Sequence, residues 1–447
     1  MMNWTQLLCP DRHGDAPRAD RLGPERDRTP FQRDYDRLVF SSAFKRLHDK
    51  TQVFPLPEND LVHSRLTHSL EVACVGRSLG TVVGQKIVQR GGLPEWCSAR
   101  DFGDIVAAAC LAHDIGNPPF GHSGEDTIQS WFRGAGSAYL SQVSEAERCD
   151  LWSFEGNAQG FRILTRLQMP ANPGLKLTYA TLAAFTKYPR ASAPLGVRFQ
   201  GNSAKKHGYH QAERSFFSDV AHRVGLLPVP KTYQEGTRAT SLEHWTRHPL
   251  AFLVEAADDI CYAILDLEDG VRLGYVSVEL AVRLLAPLSG PGTRPKSPAD
   301  DEKEYVAYLR ARAISTLIKE VTEVFLAHEQ DILSGRFDAA LTTEVPSGKL
   351  LDEIKKETRR LCYEAREVIE IELAGYEVLT HLLELFVPVA LGRDEKRDRR
   401  LLKLLPIAPS GTPYERLLRV TDHLSGMTDS YAVALYRKLL GVSLATR

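Results

Sequence analysis

The segment IVAAACLA (105–112) constrains the fold more than any other stretch, because it runs directly into HDIGNPPFGH (113–122). A helix over about 101–114 would present little side-chain bulk along its alanines, so a neighbouring helix could approach it closely. This buried helix nevertheless ends at His113 and Asp114. Burying a carboxylate beside an imidazole costs free energy unless a cation or another partner compensates for it. The segment therefore predicts a polar site at the end of a buried helix.

Helical periodicity continues through most of the chain. Apolar residues recur at three- and four-residue steps from 66 to a pair of glycines at 91–92, which is typical of an amphipathic helix with a glycine stop. Ser123, with Asp126 three residues later, predicts the N-cap of a helix that ends near residue 132. These patterns predict a mostly helical, all-α protein.

Two further helices are predicted over about 151–167 and 249–270, the second with proline near its start and glycine at its end. Alternating strand patterns are scarce, and only FPLPENDLVH (54–63) and PLGVRFQG (194–201) could hold short strands. A stretch rich in Pro, Gly and charge at 289–304 predicts a surface loop. The fold class is therefore all-α with few short strands.

Composition excludes several classes of protein. The 447 residues are 43% hydrophobic and 25% charged, which is typical of a folded globular chain rather than a disordered one. Lys and Arg total 56 against 57 Asp and Glu, so no global basic field indicates a nucleic-acid or membrane-surface protein. The seven cysteines form no CxxC pair, and the N-terminus has no signal-peptide pattern. Since no uninterrupted apolar run approaches membrane length either, we expect a cytoplasmic protein.

Four residues from separate helical patterns supply the donor set of a divalent-metal site. They are His68 in SRLTHSLEVA, the pair His113 and Asp114, and Asp258 in LVEAADDICYAILD. Two imidazole nitrogens and two carboxylate oxygens would leave positions on the ion open for water and substrate. No cysteine takes part, which disfavours a structural zinc site. Asp259 is a rival ligand, but it points about 100° away from Asp258 on an ideal helix.

Residues around the HD pair favour this interpretation over that of ordinary buried histidines. His122 and Glu125 lie three residues apart on a predicted helix, so Glu125 can orient the imidazole of His122 as an acid or base group. Asp258, Tyr262 and Asp266 follow at four-residue steps and form one polar stripe on an otherwise apolar helix. A plain solvent-facing stripe is the alternative for these three residues.

Seven segments, in order from about residue 33 to 437, resemble the dGTP triphosphohydrolase (dNTPase) family of the HD phosphohydrolase superfamily. They are SSAFKRLHDKTQVFP, HSRLTHSLEVA, HDIGNPPFGHSGE, FEGNAQGFR, TKYPR, EAADDICYAILD and DHLSGMTDSYA. The resemblance covers nearly the whole chain, and HDIGNPPFGHSGE is highly specific. It implies an HD-domain helical core over 61–275, an N-terminal arm and substrate-contacting segment over 1–60, and a C-terminal helical region over 276–447 that packs on the core.

The resemblance implies an enzyme that cleaves a deoxynucleoside triphosphate, with dGTP as the expected substrate, into deoxynucleoside and inorganic triphosphate. Mg²⁺ or Mn²⁺ is the expected cofactor, with Co²⁺, Ni²⁺, Fe²⁺ or Zn²⁺ as alternatives. By similarity this ion would be bound by His68, His113, Asp114 and Asp258. His122, steered by Glu125, would be the acid or base group, and the direction of proton transfer stays open.

The same resemblance implies two groups of substrate contacts. The phosphates would be touched by Arg65, Asn117 and Lys187. Tyr262 would pack against the deoxyribose where a 2′-hydroxyl would otherwise sit, while Gln52 and Asp266 would hydrogen-bond the 3′-hydroxyl. From the residues alone, a surface arginine at 65 and a solvated lysine at 187 are the simpler interpretations.

Two other classes of function stay open. Another HD-type phosphoester hydrolase, such as a nucleotide phosphatase or phosphodiesterase, would share the metal residues but release orthophosphate or pyrophosphate. A nucleotide-sensing or DNA-binding module is the second class. GRDEKRDRRLLK (392–403) is the densest basic segment, although its interleaved acids favour a solvated face. The resemblance adds an allosteric nucleotide or single-stranded DNA as partners and implies a homo-oligomer, with a hexamer as the expected state.

Two groups of polar residues have no assigned role. Glu155, Asn157 and Gln159 in FEGNAQ are expected near the site. His207 and His210 in KKHGYH raise the hypothesis of a second metal site. We favour a mobile, substrate-adjacent loop there, because no carboxylate cluster accompanies the two histidines.

Overall fold

The computed structural model describes residues 1–15, 28–53, 63–169, 174–197, 199–229, 231–235, 238–290, 302–393 and 395–442. Helices dominate this part of the chain, which confirms the predicted all-α class. The α-helices are α1 (Trp4–Leu7), α2 (Pro30–Phe40), α3 (Ser42–Lys45), α4 (Arg65–Gln89), α5 (Ala99–Ala112), α6 (Gly121–Arg133), α7 (Glu145–Trp152), α8 (Gly156–Arg162), α9 (Tyr179–Phe185), α10 (Arg214–Val224), α11 (Pro249–Arg272), α12 (Val278–Leu285), α13 (Glu302–Ala327), α14 (Glu329–Leu333), α15 (Leu341–Glu344), α16 (Gly348–Thr358), α17 (Arg366–Ala390), α18 (Asp398–Leu401), α19 (Pro413–Ser425) and α20 (Asp429–Leu439).

Shorter turns of helix connect several of these elements. Helical turns of the 3-10 type span Arg46–Asp49, Ala135–Leu140, Asn202–Ala204, Gln211–Glu213, Pro287–Ser289 and Leu402–Leu404. Turns of π-helix extend α8 and α16 over Ile163–Leu167 and Arg359–Tyr363.

The strands of the described residues form one antiparallel hairpin, β1 (Lys231–Glu235) and β2 (Arg238–Leu242), with Lys231 paired to Leu242. The strand predicted over 194–201 is wrong for its described residues, which form turn and irregular structure. The strand predicted over 54–63 and the loop predicted over 289–304 lie largely outside the described residues.

Helices α4 and α5 pack with their backbones in contact. A Cβ atom added to Gly80 would lie 2.7 Å from the carbonyl oxygen of Phe102, and one added to Gly84 would lie 2.9 Å from that of Ala99. On α5 the alanines that the sequence singles out are fully buried. A close helix approach is therefore present, but it lies at Ala99 and Phe102, before the alanines from which it was predicted, and the glycines of α4 allow it.

Helix α6 begins earlier than the sequence predicts. Its first residue is Gly121, so the predicted N-cap Ser123 lies inside the first turn. The residue that precedes the helix, Phe120, has a left-handed backbone (φ 62°), and its N–H donates to Asp429 Oδ1 at 3.0 Å. This long-range bond stabilises a turn that no local pattern predicts, because left-handed φ values are unfavourable for residues other than glycine.

The helix predicted over 151–167 is interrupted. Helix α7 ends at Trp152, and α8 starts at Gly156 with Glu155 as its N-cap. The N–H of Gly156 donates to Glu125 Oε1 at 2.6 Å. The chain leaves helical geometry here because its polar groups bond to α6 across the fold rather than along one helix.

Two buried hydrophobic clusters meet at the HDIGNPPFGH segment. The first gathers side chains of α4, α5, α9, α11 and α13, and it includes Ile115. The second gathers side chains of α6, α17, α19 and α20, and it includes Phe120. The segment therefore passes from one hydrophobic core to the other.

Helix α17 is, within the described ranges, the helix long and apolar enough to cross a membrane by length and composition. Its most apolar window is 61% buried, and it packs on α6, α19 and α20. Since a buried core helix passes the same test, this helix is weak evidence for a membrane span.

Replacing Gly80 by alanine should destabilise the protein, because the new methyl group would meet the backbone of α5. Overpacking costs about 1–3 kcal/mol, which exceeds the roughly 1 kcal/mol that alanine gains over glycine in helix propensity. Urea unfolding monitored by circular dichroism would measure the loss. Ser78→Ala on the exposed face of α4 is the control, with an expected change within about 0.5 kcal/mol. An unchanged or raised stability of Gly80→Ala would contradict the backbone contact.

Candidate active site

Three helices bring the four predicted metal ligands together. His68 lies on α4, His113 caps the C-terminal end of α5 with Asp114 next to it, and Asp258 lies on α11. Asp258 Oδ1 is 3.2 Å from His68 Nε2 and 3.3 Å from His113 Nε2. The rival Asp259 turns away from this cluster, because its carboxylate contacts Lys355 and Thr342.

The cluster has the chemistry of a divalent-cation site. One donor atom from each of His68, His113 and Asp114 lies within 4.8 Å of the other two. His113 Nδ1 donates to the carbonyl oxygen of Cys110 at 2.7 Å, so its Nε2 lone pair is directed at the cluster. Two imidazoles and two carboxylates suit a first-row divalent ion, and the four residues therefore fit the implied metal.

Cationic and amide groups surround the two carboxylates. The Arg65 guanidinium contacts Asp114 Oδ2, and Asn117 Nδ2 donates to Asp114 Oδ1 at 2.7 Å. Lys187 Nζ lies 2.7 Å from Asp258 Oδ2. Burial opposes the ionised form of Asp258, but Lys187 and the neighbouring imidazoles hold its pKa well below the ordinary value. Both carboxylates are thus available as charged ligands, and three predicted phosphate-contacting residues lie directly beside them.

His122 and Glu125 form the predicted pair. His122 Nδ1 donates to Glu125 Oε2 at 2.8 Å. The carboxylate of Glu125 is buried, whereas the imidazole side chain of His122 is 83% exposed. Its hydrogen bond to Glu125 raises the pKa of His122, and the His122 interaction keeps the pKa of Glu125 low despite burial. His122 Nε2 is therefore the nitrogen that can meet a ligand.

Arg65 connects this pair to the metal cluster. While its guanidinium contacts Asp114, a Cβ atom added to Gly121 would lie 2.7 Å from Arg65 Nη2. The guanidinium therefore lies against the backbone immediately before His122. The Arg65 guanidinium therefore spans the space between the candidate metal ligands and the candidate proton-transfer group.

The polar stripe of α11 lies beside a residue that the sequence analysis missed, Tyr363. The rings of Tyr262 and Tyr363 are 5.8 Å apart at their centroids, and the Tyr363 hydroxyl donates to Asp266 Oδ2 at 2.6 Å. Burial raises the pKa of Asp266 to about 8. The stripe is therefore not the plain solvent-facing face that was its alternative. Gln52 carries a buried Oε1 atom with no hydrogen-bond partner among the described residues.

Two more charged residues of the site escaped the sequence analysis or had no role in it. Lys206 Nζ lies 3.0 Å from Glu155 Oε1 and 3.9 Å from Glu125 Oε2. Glu155, expected near the site without a function, thus links Lys206 to the carboxylate that orients His122. The only local signal for Lys206 was its place beside His207 in KKHGYH, which does not distinguish it from a surface lysine.

The C-terminal segment DHLSGMTDSYA ties the N-terminal part of the chain to the site. Asp429 accepts hydrogen bonds from the Thr51 backbone at 2.9 Å and from Phe120 at 3.0 Å. Lys50 Nζ donates to the carbonyl oxygens of Asn117 and Ser425 at 2.5 and 2.7 Å. Burial lowers the pKa of Lys50 to about 7. These bonds position the Asn117 loop from both ends of the sequence.

Comparison with known proteins finds the HD domain family over residues 65–150. A protein of Synechocystis sp. named deoxyguanosinetriphosphate triphosphohydrolase-like protein is 46% identical, over 99% of this chain and 100% of its own. A Pseudomonas aeruginosa protein with the same description is 40% identical over 99% of both chains. A Yersinia pestis deoxyguanosinetriphosphate triphosphohydrolase is 32% identical over 92% of this chain and 93% of its own.

Replacing Glu125 by glutamine should lower the pKa of His122, because the hydrogen-bonded carboxylate that raises it is removed. Titration of the His122 ring by NMR, assigned with a His122→Ala variant, would measure the change. Glu155→Gln is the matched control, since Glu155 is a neighbouring buried carboxylate that contacts Lys206 and not His122, and it should shift the titration less. An unchanged His122 pKa in Glu125→Gln would contradict the proposed orientation.

Proposed function

We propose that this protein cleaves deoxynucleoside triphosphates into deoxynucleoside and inorganic triphosphate. The proposal starts from the family, because the chain belongs to the deoxyguanosinetriphosphate triphosphohydrolase-like family of HD-domain hydrolases. The observation that carries the proposal is the pair of His122 and Glu125 beside a buried His/Asp cluster, with Arg65 between them. A simple metal-dependent phosphatase needs the cluster alone. The pair of His122 and Glu125 would add a proton-transfer group that acts on a second atom of the substrate.

The four clustered side chains would hold the divalent ion: His68, His113, Asp114 and Asp258. When bound, such an ion neutralises charge on a phosphate oxygen and lowers the pKa of a coordinated water. Arg65, Lys187 and Lys206 would then face the triphosphate. A polyanion of this charge needs several cations, and the planar guanidinium of Arg65 can bind two phosphate oxygens at once. Asn117 would add an amide donor.

His122 would transfer the proton of the cleavage step. Glu125 occupies Nδ1, so Nε2 faces the substrate. The hydrogen bond to Glu125 raises the pKa of His122 and so stabilises its imidazolium form, the form that can act as a general acid. Water would attack the α-phosphorus, the bond from that phosphorus to the 5′-oxygen would break, and the Nε2 proton would pass to the departing 5′-oxygen. The proton that the water loses would be released to solvent, and solvent would reprotonate the exposed Nε2 for the next turnover. Glu125 would stabilise the charged imidazole before the transfer and keep the ring in place after it.

The sugar would lie against the polar stripe of α11. The ring of Tyr262 is backed by Tyr363, so it cannot easily yield to an added 2′-hydroxyl. Asp266, with its pKa near 8, can carry a proton and hydrogen-bond a 3′-hydroxyl while it accepts from Tyr363. The unpartnered Oε1 of Gln52 is an acceptor for the same hydroxyl. Crowding at one position and hydrogen bonding at the next would select deoxyribose.

The products should identify the reaction. Purified protein incubated with each dNTP and Mn²⁺ should release tripolyphosphate, which anion-exchange chromatography separates from orthophosphate and pyrophosphate. His113→Ala and Asp258→Ala should lose the ion held at this cluster and lower turnover more than about a hundredfold. His122→Ala should keep the metal and lose the chemical step by about 10²–10⁴-fold. Orthophosphate or pyrophosphate as the first product would instead indicate another HD-type phosphoester hydrolase.

Replacing Tyr262 by alanine should weaken the exclusion of ribonucleotides, because space opens where the 2′-hydroxyl would sit. We expect the ratio of kcat/KM for dGTP over GTP to fall by about tenfold or more. Tyr262→Phe keeps the ring and should preserve the ratio. Equal ratios in the alanine variant and the unaltered protein would contradict the packing role.

A further inference from the structure

A second group of metal-ligand side chains lies away from the four candidate ligands. Asp150 on α7 and the histidines His207 and His210 each offer one donor atom within 4.8 Å of the other two. All three residues are buried, with at most 3% of each exposed. The sequence pattern favours a mobile loop here, because no carboxylate cluster accompanies the two histidines locally. That reason is wrong, since a distant part of the chain provides Asp150.

The two imidazoles have nitrogen atoms without partners. His207 Nε2 and His210 Nδ1 are both buried atoms with no hydrogen-bond partner in the described part of the chain. Leaving a buried polar atom without a hydrogen bond costs free energy, so two such atoms together need an explanation.

Gln159 and Asp150 face the two ring nitrogens of His210. Gln159 Nε2 donates to Asp422 Oδ1 at 3.0 Å, so Gln159 Oε1 faces His210 Nε2, at 3.4 Å. In the tautomer that carries its proton on Nε2, His210 directs the lone pair of Nδ1 towards Asp150 Oδ1, 3.7 Å away. Two acceptor atoms facing each other beyond hydrogen-bond length repel, and a cation between them removes the repulsion.

The carboxylate of Asp150 is held in place as ligating carboxylates are. Ser192 Oγ donates to its Oδ1 at 2.6 Å, and the backbone N–H of Gln211 donates to its Oδ2 at 2.7 Å. The Tyr414 hydroxyl, from α19, donates to Oδ2 as well. Gln159 bonds to Nε2 of His210, the nitrogen that faces away from Asp150. Hydrogen bonds from neighbouring residues thus hold both the carboxylate and this imidazole in place.

We propose that Asp150, His207 and His210 form a second metal site, which takes a transition-metal ion of the zinc class and supports structure rather than catalysis. Two imidazoles and one carboxylate suit zinc better than magnesium, which prefers oxygen ligands and retained waters. The ion joins α7 to the segment that carries Lys206, and through Tyr414 it borders α19. It thereby steadies the loop from which Lys206 reaches Glu155 and Glu125.

Metal counting separates this site from the candidate active site. Each protein is stripped with EDTA, dialysed against ZnCl₂ and then metal-free buffer, and analysed by mass spectrometry for zinc per chain. His113→Ala, which disrupts the first site, should retain one ion, and the double variant His113→Ala/His210→Gln should retain none. His423→Gln is the matched control, because His423 is also buried with an unpartnered Nε2 but, among the described residues, belongs to no such cluster. Introduced into His113→Ala, it should leave the retained ion in place.

A second measurement leaves the new site unaltered. Co²⁺ added to the stripped His113→Ala protein should give intense visible d–d bands of a low-coordinate nitrogen and oxygen site, and excess Zn²⁺ should abolish them. Absence of these bands, or zinc retained equally after His210→Gln, would overturn the proposal. Because every step uses protein without the first site, failure of the proposed hydrolase activity would not alter the result.

Discussion

The backbone contact between α4 and α5 determines where the rest of the site can lie. Gly80 and Gly84 bring α4 against carbonyl oxygens of α5. Nearer the site, Gly76 of α4 lies against Cys110 of α5, and His68 and His113 on these two helices have ring centroids 5.3 Å apart. Helix α11 packs against both helices and brings Asp258 to the same point. Because protein interiors are close-packed, a bulkier residue at the helix contact would move these donors apart.

Burial makes the charges at this point depend on one another. Asp114 and Asp258 lie where water cannot fully solvate them, and each is paired with a cation, Arg65 or Lys187. Such pairs stabilise little by themselves, because desolvation offsets most of the Coulomb attraction. They do hold both carboxylates ionised and keep two cations in place for an anionic ligand. Glu125 is also buried, and its interaction with His122 keeps its pKa low, so that its carboxylate can orient the His122 ring.

The second hydrophobic core supports the candidate site although it holds none of the predicted metal ligands. It ends at Phe120, whose left-handed backbone is bonded to Asp429 and whose ring packs on Gly375. Lys50 and Thr51 join the same network from the other end of the chain. The turn before His122 is therefore stabilised by residues that are hundreds of positions away. This explains why motifs near both termini accompany the HD segment.

Sequence alone determined the helical class, the burial of 105–112 and those site residues whose spacing matches a helix, namely His122 with Glu125 and Asp258 with Tyr262 and Asp266. Local periodicity suffices there, because side chains three or four positions apart share a helix face. Tertiary structure decided the pairing of Lys187 with Asp258, the break before Gly156 and the meeting of Asp150 with His207 and His210. Those contacts depend on which buried faces pack together. Packing joins residues far apart in sequence, so no periodicity in the chain records it.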